Sequence, residues 1–301
     1  MTTGSGLARA ASRIQECFDE AGVFGSVHAV ALHQREREIG VESDEPTVLA
    51  SVFKLPLLVA FARMVDAGDV DPTAAVTVTP DQRTPGSTGI AAMADAVTMS
   101  WRDLARSMIA VSDNAAADAL LDMVGLERLR GTLADLGLTA TRVAGGTQQL
   151  YDSLVEDTGS SSLGEAIARL RDPEAISVVS ALDPADPASN VGTCRDLTRL
   201  LDAVWRDRAA SPEQCAFMRG VLAQQVWTQR LAAGFPFDDV VVAGKTGTFV
   251  TLRHEAGVVA YPNGELFAVA VLTRTTRARL VLPAVDAAIA RAAKLAVAAL
   301  R

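Results

Sequence analysis

The sequence predicts an α+β protein in which an antiparallel sheet is flanked by helices and carries an inserted all-helical domain. Three observations predict it. Segments that read as strands stand near both ends of the chain, alternating apolar and polar near the N-terminus and joined by tight turns near the C-terminus. A block with helical periodicity separates them, and a last apolar helix closes the chain. Strands, then helices, then strands point to one sheet assembled from both ends. With 301 residues, 49% hydrophobic and 21% charged, the chain can bury a sizeable core in one large domain or two coupled ones. Residues 1–49 and 212–301 are expected to form the sheet domain and 50–211 the all-helical domain, with the functional site at their interface.

Leu7, Ala10, Ile14 and Phe18 recur at helical spacing, and Gly22 ends that helix over 6–21. "SVHAVALHQ" and "REIGVE" alternate as two strands. Residues 51–67 read as a strongly apolar helix closed by Gly68, and "TPDQRTPGSTGIAA" as a Pro- and Gly-rich loop. Three helices follow at 100–111, 114–124 and 126–136, the last closed by Gly137. From 139 to about 190 the pattern is irregular around one short helix near 163–171; so long a loop region is usually functional or mobile. A helix at 193–207 precedes three strands, "DDVVVAGKTGTFV", "HEAGVVAYP" and "ELFAVAVLTR", with "PNGE" a hairpin signal. Residues 282–300 form the closing helix.

A net charge of −8 argues against a nucleic-acid partner. No apolar run of about 18 residues is present to span a membrane. The N-terminus lacks the basic and apolar regions of a secretory signal, so a cytoplasmic location is expected. Cys17, Cys194 and Cys215 are odd in number and widely spaced, and read as free thiols filling the core. His28, His33 and His254 lack metal-site spacing and read as structural; no metal and no cofactor are expected. There is no G-x-S-x-G and no H-E-x-x-H.

The chemistry concentrates in three short motifs. Lysine is scarce: Lys54, Lys245 and Lys294 are the only three among 28 basic residues. In "SVFKLPLL", Ser51 precedes Lys54 by three residues, which on a helix share a face. An ammonium buried at a helix start has a lowered pKa, and a neutral lysine can take a serine's proton, which arginine cannot do. Alternatively, Ser51 caps the helix and Lys54 snorkels outward. Ser112-Asp113-Asn114 stands between two helices and Lys245-Thr246-Gly247 inside a strand. Each triplet is expected by chance in only a few per cent of chains this long.

S-x-x-K, S-D-N and K-T-G in this order resemble the set of class A β-lactamases and penicillin-binding proteins, and the resemblance spans nearly the whole chain. It implies a β-lactamase-like fold with Ser51 as acylated nucleophile and Lys54 as general base or proton shuttle. Ser112 would relay a proton to the leaving nitrogen, and Asn114 would bind the substrate's amide side chain. Lys245 would supply positive charge to Ser112 and the substrate carboxylate. Thr246 and Thr248 would hydrogen-bond substrate, with the N–H groups of Ser51 and Thr248 as oxyanion hole. Gly247 would let substrate backbone approach closely. Arg253 resembles the family's second carboxylate-binding cation; as a plain reading it is a surface arginine on a strand.

The resemblance breaks where the family carries E-x-x-L-N, whose glutamate activates water for release of the acyl group. Here "TQQLY" aligns: Thr147 replaces the glutamate, Leu150 matches, and Tyr151 replaces the asparagine. The loop then runs on through Asp152, Glu156 and Asp157, and Glu156 is the alternative carrier of the base. Acylation needs only Ser51, Lys54, Ser112 and Lys245. The expected function is therefore a serine acyl-enzyme hydrolase, acylated at Ser51 by β-lactams or related amides and esters, with slow or atypical deacylation. The alternatives are a penicillin-binding-protein-like peptidase or esterase, a transacylase, or a ligand-sensing module without turnover. A monomer is expected, with a small-molecule substrate as partner.

Overall fold

The computed structural model describes residues 4–279 and 281–301; residues 1–3 of the expected first sheet segment lie outside that range. The chain opens with α1 (Gly4–Ala21), β1 (Val23–Ala31), β2 (Gln34–Val41) and β3 (Thr47–Val48). A 3-10 turn, Ala50–Phe53, leads into α2 (Lys54–Ala67). Then come β4 (Ala75–Val78), β5 (Val97–Ser100), α3 (Trp101–Ala110), α4 (Asn114–Val124), α5 (Leu126–Asp135), α6 (Thr147–Asp157), α7 (Leu163–Arg169) and α8 (Pro173–Ser177). The last part is β6 (Val191–Gly192), α9 (Cys194–Trp205), α10 (Pro212–Leu222), β7 (Val241–Phe249), β8 (Leu252–Ala260), β9 (Leu266–Thr275) and α11 (Pro283–Leu300).

The five-stranded sheet has the order β2-β1-β9-β8-β7, antiparallel throughout, so both ends of the chain meet at β1 and β9. Its central strands bury both faces, and successive side chains enter different cores. Val269 and Val271 face α1 and α11 through Phe18, Ile289 and Ala293. Ala268, Ala270 and Leu272 face a second core with Leu57, Phe61, Leu120, Leu201 and Met218. The PNGE turn closes the β8–β9 hairpin: Tyr261 N–H donates to Glu265 O, and Gly264 takes φ +87°, where a side chain would be strained. β7 is the sheet's outer strand, with one edge open toward the helices.

Several expectations are corrected. The stretch from 139 to 190 is more helical than its composition suggests, with α6 and α8 beside the anticipated α7. The inserted segment is not wholly helical, because β4 pairs with β5 and β6 with β3. Residue 212 does not begin a separate packing unit, since Cys215, Met218 and Leu222 of α10 share the core of α2 and α3. Cys17, Cys194 and Cys215 are buried free thiols.

Candidate active site

The motif residues converge where β7 faces the start of α2. Ser51 sits in the 3-10 turn after Ala50, whose φ of +45° is unfavourable for a residue with a Cβ. Ser51 caps nothing: α2 starts after Phe53 with no side-chain cap. The residue is partly exposed, and its hydroxyl makes no hydrogen bond among the described residues. Lys54 does not snorkel; it is fully buried. Its Nζ donates to Ser112 O at 2.8 Å, Asn114 Oδ1 at 2.9 Å, Asp113 O at 3.3 Å and Ser112 Oγ at 3.4 Å. Burial lowers its pKa to about 7, against the opposing pull of Asp113 and Asp118.

Ser112 holds the centre. Its φ of +60° is a second left-handed backbone without glycine. Its Oγ lies 2.9 Å from Lys245 Nζ, whose other N–H goes to Thr246 O at 2.7 Å. Lys245 is also fully buried, and burial followed by the Lys54 charge pushes its pKa well down. One hydroxyl therefore lies within reach of two lysines, one from the helices and one from the sheet. Asp113 is structural: its buried carboxylate accepts from Ile90 N–H, Ala116 N–H and Ser107 Oγ, fixing the turn below and capping α4.

Gly247 has a local reason to be glycine. A Cβ there would stand 2.9 Å from Val52 Cγ2 and 3.0 Å from Leu49 O, so the Ser51 turn itself packs on β7. Thr246 N–H donates to Gln225 Oε1 at the open edge, and by strand alternation Thr248 N–H points the same way. Thr248 Oγ1 accepts from Arg230 at 2.8 Å. Arg230 is buried, pairs with Asp286 at 2.6 Å, and donates to the carbonyls of Gly247 and His254. No motif marks it. Arg253 is not a surface residue: its guanidinium is buried and donates to the carbonyls of Leu252, Val250 and Arg279. Burial lowers its pKa to about 10. Glu255, opposite Thr246, accepts from Gln225 and Leu231 N–H, and burial raises its pKa to about 7.

α6 brings "TQQLY" to the same place. Asp118, one turn along α4 from Asn114, accepts from the N–H groups of Thr147 and Gln148, each at 2.7 Å. Thr147 is buried and its hydroxyl has no partner among the described residues. One turn on, Tyr151 Oη accepts from Asn114 Nδ2 at 3.0 Å. Glu156, nine residues after Thr147, is exposed on the opposite face of α6, so the helix directs it away from Lys54. His254 Nδ1 accepts from Thr273 N–H and its Nε2 bonds Val48 O, which makes it a structural brace. His28 braces Thr198 and Arg195. Among the described residues no group of His, Cys, Asp or Glu could hold a metal ion.

Comparison with known proteins identifies the family and the fold. The model of a family described as the β-lactamase enzyme family matches residues 9–300. A Streptomyces cacaoi protein named β-lactamase regulatory protein BlaB is 31% identical, over 93% of this chain and 94% of its own. A β-lactamase from Sphaerobacter thermophilus superposes with a TM-score of 0.77 at 24% identity, covering 98% of this chain and 97% of that one. A mutant of PBP-A solved as an acyl-enzyme complex with penicillin G gives 0.74 at 20% identity, covering 96% and 94%. At these identities the two structures bear on the fold alone.

Proposed function

The chain belongs to the β-lactamase enzyme family, and from that premise we propose that it is a serine acyl-transfer enzyme whose Ser51 is acylated by β-lactams or related amides and esters. One observation carries the reading: Ser112 Oγ lies 2.9 Å from Lys245 Nζ and 3.4 Å from Lys54 Nζ, beside the Ser51 turn. Two N–H groups of Lys54 are held by Ser112 O and Asn114 Oδ1. When neutral, Lys54 has its lone pair left for the Ser51 proton. Ser51 Oγ bonds to the carbonyl carbon as that proton leaves, and the C–N bond breaks. Ser112 gives its proton to the departing nitrogen and recovers one from Lys54. The N–H groups of Ser51 and Thr248 receive the oxyanion. Lys245, with Arg230 behind Thr248, gives the edge of β7 the positive charge that suits a substrate carboxylate.

Release is the slow half. The α6 side chain reaching Asn114 is a phenol, and Thr147 offers a hydroxyl where a carboxylate would be needed to take a proton from water. Such a site holds its acyl group, which suits slow hydrolysis, transfer to an amine, or ligand sensing. Similarity to a protein named as a regulator favours the sensing variant as second reading.

Intact-mass measurement after exposure to benzylpenicillin tests the proposal. One acyl equivalent should appear, map to Ser51, and be absent from Ser51→Ala. No adduct, or a label on Ser112, refutes it.

A further inference from the structure

Asn114 has no N–H left for a ligand. Its amide nitrogen carries two hydrogens; one goes to Pro85 O at 3.1 Å and the other to Tyr151 Oη at 3.0 Å. Its Oδ1 accepts from Lys54 at 2.9 Å. The amide cannot be turned over, because Pro85 O only accepts and Lys54, when charged, only donates. A carbonyl on a substrate's side chain therefore finds no donor on this asparagine unless the network breaks.

Tyr151 shows the complementary surplus. Its oxygen accepts from Asn114, so its own O–H remains to donate, and it meets no acceptor among the described residues. The ring is half-buried, and burial raises the phenol pKa, which keeps the proton on at neutral pH. Placement is firm. Asp118 grips the first two N–H groups of α6, and Leu150 and Leu154 anchor the helix in its own small core. The hydroxyl thus stands two hydrogen bonds from Lys54 Nζ.

We propose that Tyr151 is the donor that reads the acyl side chain of the substrate, in place of Asn114. This rests on the acyl-enzyme reading above and narrows its substrate class. The preferred acyl donors carry a carbonyl acceptor on the side chain next to the scissile amide, as N-acylated β-lactams and N-acyl peptides do. A nucleus bearing only a free amine lacks that acceptor.

Acylation rate constants at Ser51 for benzylpenicillin and for 6-aminopenicillanic acid, which lacks the side-chain carbonyl, test this in the wild type and in Tyr151→Phe. Phenylalanine keeps the ring and removes the hydroxyl, and with it the acceptor of one Asn114 N–H; a thermal melt checks the fold. Loss of one neutral hydrogen bond should slow benzylpenicillin about 3- to 10-fold and leave 6-aminopenicillanic acid unchanged. Equal slowing of both probes would mean that Tyr151 only positions Asn114 and Lys54, and would overturn the proposal, as would no change with either. If neither probe labels the wild type, the acyl-enzyme reading itself fails and takes this one with it.

Discussion

Lys54→Arg, combined with the pH dependence of acylation, tests the base directly. Lys54 is fully buried among four oxygen acceptors, and burial brings its pKa to about 7. With that value about one-tenth of the enzyme has a neutral lysine at pH 6 and about nine-tenths at pH 8. With the neutral form as the base, as proposed, acylation should rise about tenfold between those values and level off above. Free lysine would place the rise more than three pH units higher. Arginine keeps the charge and the donors but does not lose its proton in this range. The variant should acylate about 10² to 10⁴ times more slowly, the range for loss of a general base, and its rate should no longer rise through pH 7. Stopped-flow measurement with a chromogenic cephalosporin gives both, and a melt confirms that the larger head is accommodated. A wild-type rate flat from pH 6 to 9, together with near-normal acylation by Lys54→Arg, refutes the assignment.

Three further outcomes are expected. Thr147→Glu with Tyr151→Asn should shorten the adduct's lifetime by at least about tenfold, short of the 10² to 10⁴ of a well-placed base because Asp118 would repel the new carboxylate; an unchanged lifetime by mass spectrometry counts against α6 as the cause of slow release. Asp118→Ala removes the acceptor for two N–H groups and for Thr84, and should cost about 2 kcal/mol in urea unfolding; a loss under 0.5 kcal/mol, within the range of ordinary surface changes, contradicts the anchor. His254, buried with a pKa of about 4 against about 6.5 unfolded, contributes stability that is complete above 6.5 and falls by about 3 kcal/mol on acidification to 4. Glu255, raised to about 7, acts oppositely, gaining stability as pH falls from 7 to 4.5, so Glu255→Gln should lose stability more steeply with acid than the wild type; parallel curves contradict this.

The fold was legible where the signal is local. β8 and β9 were marked by apolar runs on either side of the PNGE turn. α10 carries a local start signal in Ser211-Pro212 with Gln214. α6 was harder. Its cap is Asp118, 29 residues upstream of Thr147, and Gly145-Gly146 suggested a loop. The β4–β5 ribbon depends on a pairing across the long Pro- and Gly-rich segment. In the site, the motifs marked Ser51, Lys54, Ser112 and Lys245 because residue type and spacing are fixed by chemistry. Arg230 and Gln225 reach β7 from an irregular segment, and their roles exist only through contacts. Asn114 shows the limit most clearly: the motif supplied the residue, but only the geometry shows its amide already occupied.

The position of Ser112 between two lysines also makes the site a gauge of how the two halves of the molecule are seated. Lys54 rides on the helical core and Lys245 on the outer strand of the sheet, and both bonds meet at a single oxygen. A slide of the strand along the helices by about 1 Å would break one bond while leaving every helix and strand intact, and misplacement on that scale can cost about 10²-fold in rate. If Ser51 is acylated as proposed, mild denaturant, or a mutation that loosens the Gly247–Val52 contact, should therefore slow acylation before the helical content changes.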